Sequence, residues 1–162
     1  MVEYKIVPGV GIGSVKLGAS RDEARAMMRM ELHCFRKIET NRYECDAYHE
    51  NGFQIFYNGD KPHVEYIELS SGCGFIASYR GIDVFSIKAN DLVDLIFQET
   101  SFDEDDPELG YSYVFPEIEL SLWRSVLPQS LDDPSGQFFS TIGIGIKGYY
   151  SNKDFGTTNP KS

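Results

Sequence analysis

Polar and apolar residues alternate over several short stretches of this chain, and twice the alternation gives way to helical spacing. Phe53, Ile55 and Tyr57 alternate with Gln54 and Phe56, which predicts a strand over 52–57. Residues 43–48 and 63–69 read as strands too, and Asn58-Gly59-Asp60 predicts a hairpin turn between the last two. The second half carries strand patterns over 111–115, 118–123 and 138–149. There Ile118, Leu120 and Leu122 alternate with Glu119, Ser121 and Trp123. Ile142, Ile144 and Ile146 alternate with Gly143, Gly145 and Lys147, so one face is apolar and the other thin.

The two helical stretches follow related openings. Residues 11–20 (GIGSVKLGAS) and 81–90 (GIDVFSIKAN) align without a gap, pairing Gly11 with Gly81, Ile12 with Ile82, Leu17 with Ile87 and Ala19 with Ala89. The last pair, Ser20 and Asn90, are both favourable helix N-caps. Ser20 and Glu23 have the spacing of a capping box, and Ala24, Met27 and Met28 form the apolar face that follows. Leu92, Val93, Ile96 and Phe97 form the second such face. Each half therefore reads as loop, helix and three antiparallel strands. The expected fold is α+β: two tandem helix-plus-three-strand repeats, about 1–78 and 79–150, whose antiparallel sheet packs on the helices. A half of this size is marginal alone, so residues 1–150 are expected to form one cooperative domain. The polar tail 151–162 is expected to be flexible.

Charge changes this picture. The formal net charge is −10 over 162 residues. Residues 1–80 hold 10 basic and 11 acidic side chains, whereas residues 81–162 hold 5 and 14, a net of −9. Such a balance disfavours direct binding of nucleic acid, which needs clustered Lys and Arg, and it suits steering of a basic partner. No apolar run approaches the roughly 20 residues of a membrane span. Residues 1–5 lack the flank and apolar core of a signal peptide, so the expected compartment is the cytoplasm. Cys34, Cys45 and Cys73 are odd in number and lack metal-binding spacing, so neither disulfides nor a zinc site is expected.

Enzymatic motifs do not assemble. Gly9, Gly11 and Gly13 follow a strand-like 4–7, but a dinucleotide loop opens a helix at its glycines, and here the helix begins near Ser20. His33, His49 and His63 have no metal-binding partners at helical spacing. His49, Cys45 and Asp46 supply the residue types of a triad without a nucleophile-elbow signature. The run from Asp103 to Glu108 has Pro107 and no central glycine, unlike a calcium loop. No catalytic residue, cofactor or metal is therefore expected. What stands out is surface: Phe56 and Trp123 fall opposite in parity to the apolar residues of their strands, and Tyr111, Tyr113 and Trp123 adjoin the acid-rich loop in sequence. Aromatic anchors in a charged setting read as a protein-binding surface.

The segment from Val7 to Ser20, VPGVGIGSVKLGAS, followed by an acid-rich helix start, resembles the opening of small bacterial proteins in toxin–immunity loci, of the polymorphic-toxin and contact-dependent growth-inhibition type. The doubled helix-plus-sheet plan resembles the tandem-repeat beta-lactamase inhibitor proteins, which grip an enzyme with a concave sheet. Those secreted inhibitors carry disulfides, and the three cysteines here depart from that pattern. The resemblance implies an immunity protein that binds a basic toxin domain, of nuclease type, and blocks its active site. The expected steering acids are Asp103, Glu104, Asp105, Asp106 and Glu108, with Asp132 and Asp133 secondary. Tyr111, Tyr113 and Trp123 are the expected anchors. One alternative is a homo-oligomeric module, such as a homodimer, using the same aromatic face. Another is a small-ligand-binding protein with a pocket between the repeats.

Overall fold

A computed structural model describes residues 1–151, and the tail expected to be flexible lies, apart from Ser151, outside the described residues. The fold is α+β, with two helices and two sheets. The chain runs β1 (Glu3–Val7), β2 (Gly11–Ile12), β3 (Val15–Lys16), α1 (Arg21–Met28), β4 (His33–Phe35), β5 (Cys45–Tyr48), β6 (Phe53–Asn58) and β7 (His63–Ser70). It continues through β8 (Ile76–Tyr79), β9 (Ile82–Asp83), α2 (Ala89–Phe97), β10 (Ser112–Phe115), a 3-10 turn (Pro116–Ile118), β11 (Leu120–Trp123) and β12 (Thr141–Gly145).

The larger sheet has the order β10-β11-β12-β7-β6-β5-β4, antiparallel throughout. Its centre is the β7–β12 pair, in which Ile67 faces Ile144 and Glu68 faces Gly143. The smaller sheet has the order β3-β2-β1-β8-β9, with β1 and β8 parallel at its centre. That sheet was not expected from the sequence. Its outer strands span two residues each, too few for any alternation to show. One face of the large sheet, the small sheet and both helices share a continuous core that includes Ile12, Phe53, Ile67, Leu92, Ile96, Leu120 and Ile144. No described helix is long and apolar enough to cross a membrane.

Local chemistry explains the elements. Ser20 Oγ accepts from the Glu23 amide at 3.1 Å and the Ser20 amide donates to Glu23 Oε1 at 3.1 Å, so the expected capping box forms. Of the apolar face expected for α1, Ala24 is buried and Met27 turns outward. In α2 the N-cap is Lys88, not Asn90, and no side chain caps it. Asn90 lies inside the helix and accepts from Arg124 Nη2 at 3.3 Å. Phe97, expected on the buried face, is half exposed at the helix end against Phe102. The 58–60 turn forms as expected, with Gly59 at φ 97°.

Four strand expectations were too long, and the stretch 43–48 is strand only from Cys45 to Tyr48. The stretch 118–123 is broken because Pro116 starts a 3-10 turn and Glu119 adopts the left-handed conformation at φ 53°. Tyr111 precedes β10, and the run 138–149 is strand only from Thr141 to Gly145.

Candidate functional site

The outer face of the large sheet carries the aromatic residues that the strand parity set apart. Cross-strand register places Ser112, Trp123, Thr141 and Ser70 in one row, and Val114, Ser121, Gly143 and Glu68 in the next. The thin glycine face of β12 is covered by tyrosine. A Cβ on Gly143 would sit 1.9 Å from Tyr66 Oη, so the Tyr66 side chain crosses this strand in contact with its backbone. Tyr66 Oη then meets Ser121 Oγ at 2.9 Å. Tyr149 stacks on Tyr66 at 4.7 Å and covers Gly145. Tyr150 Oη lies 3.1 Å from Tyr66 Oη and 3.0 Å from Ser121 Oγ. Burial pushes up the pKa of all three tyrosines, keeping the phenols neutral at physiological pH.

A carboxylate holds this segment in place. Glu119 is 6% exposed. Its oxygens accept from the amides of Gly148, Tyr150 (2.7 Å) and Ser151 (3.0 Å) and from the Ser151 hydroxyl (2.8 Å). Burial alone would raise its pKa. The hydrogen bonds outweigh burial and hold the carboxyl below its ordinary value. Tyr149, expected on a strand, thus belongs to a turn folded back over the sheet.

What stays open beside this aromatic cluster is a groove. One cavity of about 390 Å³ is lined by Trp123, Glu108, Ser112, Thr141, Glu68 and Tyr149, among others. A neighbour of about 330 Å³ shares Lys37, Glu68 and Tyr149 with it and continues toward Phe56. Lys37 Nζ is 3.3 Å from Glu68 Oε2 and lies over the Phe56 ring.

The expected site residues divide. Trp123 is 40% exposed and Tyr111 41%, and Glu104, Asp105, Glu108 and Asp132 are exposed. Asp106 is only 4% exposed, and its Oδ1 accepts from the Glu108 amide at 2.9 Å. Asp103 is half-buried and accepts from the Asp105 amide at 3.0 Å. Asp133 accepts from the amides of Gln129 and Ser135, bonds that lower its pKa. These three acids shape loops, as short side chains that bond nearby backbone commonly do. Tyr113 points to the inner face, packed edge-on against Phe102 and Phe139.

The organising roles of two residues escaped the sequence reading. Arg124, 4% exposed, donates to the carbonyls of Gly110 (2.9 Å) and Gly136 (3.0 Å) as well as to Asn90, and its guanidinium lies over the Phe139 ring. It ties both acidic loops to α2. Asp46 is 0% exposed and receives Arg25 through two bonds (2.7 and 2.9 Å) and Tyr57 Oη (2.7 Å). An acid on the inner parity of a buried strand calls for such partners, and that was the available signal. The β5 alternation puts Asp46 inward and Cys45 outward, and His49 bonds Tyr4 Oη at 2.6 Å, so these three do not converge. Among the described residues, no three His, Cys, Asp or Glu side chains are grouped to hold a metal ion.

A different concavity, about 640 Å³, opens where β1 and β8 end. It is lined by Lys5, Ile6, Tyr79, Arg80, Glu99 and Ile118, among others. No protein-family model, curated protein or solved structure matches the chain.

Proposed function

We propose that this chain is a non-enzymatic inhibitor of the immunity type, which binds a basic protein domain through the outer face of its large sheet and blocks that domain's active site. The observation that carries the reading is the exposed Trp123 in a groove on that face that the exposed Glu108 also lines. A large exposed aromatic beside an exposed carboxylate combines an anchor with steering charge. The target is a toxin domain of nuclease type, because a nuclease is basic where it meets phosphate and this chain carries its excess of −9 in the second half. The three cysteines are free, which suits work in the reducing cytoplasm of the producing cell.

The layout is proposed to arise by tandem duplication. Supporting this, β5-β6-β7 and β10-β11-β12 meet at the central β7–β12 pair of the large sheet in mirrored order. Each echoed stretch opens with a two-residue strand of the small sheet, β2 (Gly11–Ile12) and β9 (Ile82–Asp83), which share the aligned pair Ile12 and Ile82 and run antiparallel to β1 and β8. The cavity at the ends of β1 and β8 would lie between such repeats, and it favours small-ligand binding as the second reading.

The test is affinity capture from the native lysate with the full chain as bait, at low and high salt, beside a variant carrying Glu104→Gln, Asp105→Asn and Glu108→Gln. A stoichiometric basic protein should be retained, released as salt rises and lost by the variant. A bait that retains nothing and forms a dimer by light scattering would overturn the reading in favour of a self-associating module.

A further inference from the structure

Resting on the reading above, the geometry points to an arginine side chain of the partner as the occupant of the corner formed by Trp123 and Glu108. Trp123 stands between two small neighbours in register, Ser112 on β10 and Thr141 on β12. Neither is bulky enough to cover an indole face, which accounts for its exposure. Glu108 lines the same cavity. It is held there because its carbonyl accepts from the Ser112 amide at 2.8 Å, and Ser112 faces Trp123. The other acid lining that cavity, Glu68, is already paired with Lys37. Among the described residues, Glu108 has no cationic partner.

An open indole face beside an unpaired carboxylate selects a planar cation. A guanidinium stacks on the ring while its N–H fork meets the carboxylate, and Ser112 and Thr141 supply further oxygens at the rim. The ammonium of lysine fits less well, being compact and strongly hydrated. Charge complementarity favours a cationic partner over a second copy of this chain, since two copies would bring like charges, each a net −10, face to face.

Trp123 is the chain's single tryptophan, so its fluorescence reports this corner alone. The full chain would be titrated with tetra-arginine, tetra-lysine and tetra-citrulline peptides. Tetra-arginine should perturb the emission with saturation, bind more tightly than tetra-lysine, and weaken by about fivefold in Glu108→Gln. Tetra-citrulline should give no response. The inference is overturned by an absent response, by equal responses to arginine and citrulline or to arginine and lysine, or by binding unchanged in Glu108→Gln. An emission that instead changes with protein concentration alone, with a dimer by light scattering, would assign the corner to a second copy. A basic partner captured equally well by wild type and by the single variants Trp123→Ala and Glu108→Gln would sink this inference and leave the inhibitor reading standing.

Discussion

Replacing Arg25 by methionine tests whether a buried ion pair locks α1 to the large sheet. Asp46 has no solvent contact, and its oxygens receive Arg25 Nε, Arg25 Nη2 and Tyr57 Oη. Cys34 Sγ adds a weaker contact at 3.4 Å. Arg25→Met leaves the carboxylate with Tyr57 and Cys34 alone. Breaking one side of a buried pair costs about 3–5 kcal/mol. Arg25 keeps 35% of its side chain in solvent, which screens the pair and moves the expected loss to about 3 kcal/mol. For a chain of this length that lowers Tm by roughly 6–12 °C.

The pH dependence separates this account from simple loss of packing. Burial alone would raise the Asp46 pKa. The bonds from Arg25, Tyr57 and Cys34 and the Arg25 charge overcome it and hold the carboxyl below its ordinary value. In the wild type this stability is therefore present above the ordinary carboxylate pKa and is lost as pH falls through the native one. In Arg25→Met burial dominates and the native pKa lies above the unfolded one. The penalty is then present at neutral pH and is relieved as pH falls. The stability gap should narrow between pH 7 and pH 4, read from urea unfolding at each pH. The double variant Arg25→Met/Asp46→Leu should recover most of the loss, because an apolar pair leaves no stranded charge. A gap that stays constant with pH, together with a double variant no more stable than the single, would refute the reasoning.

Three further outcomes follow from the structure. Glu119→Ala should cost about 2 kcal/mol and speed hydrogen exchange at the amides of Gly148, Tyr150 and Ser151, and the wild-type contribution should disappear as pH falls through the lowered Glu119 pKa. Gly143→Ala drives a methyl into the Tyr66 hydroxyl and ring, so it should cost about 1–3 kcal/mol and alter the tyrosine near-UV circular dichroism. Lys88→Ser supplies the missing cap of α2 and should raise stability by about 0.5–1 kcal/mol in thermal unfolding.

Patterns that need only neighbours along the chain were legible. The Ser20–Glu23 capping box, the turn at Gly59 and the alternation of β6 and β11 depend on a few adjacent residues, and they form as their spacing predicts. Parity alone put Phe56 and Trp123 on the outer face. Where reading failed, a longer-range demand outweighed a local preference. Asn90 is a good N-cap, but buried Arg124 takes its side chain, and the helix starts two residues earlier, at Ala89, with Lys88 as the cap. Alternation from Ile118 to Trp123 is sound, but Glu119 leaves it to bind the amides of residues 148–151.

The candidate site shows the same division. Its ingredients, a single exposed tryptophan, an acidic loop and a glycine-lined strand, stand in the sequence as residue types. Which acids face solvent was settled by loop closure, since Asp103, Asp106 and Asp133 bond backbone amides while Glu104, Asp105 and Glu108 reach solvent. The partners of Asp46 lie 11 to 21 residues away and those of Arg124 12 to 34, beyond any periodicity. By itself the sequence determined the α+β composition of elements, the apolar face of each main strand and the acidic excess, because period and charge are properties of the chain. Only the tertiary structure decided the central β7–β12 pairing, the small parallel-centred sheet and the tyrosine cover over β12, because those depend on which surfaces meet.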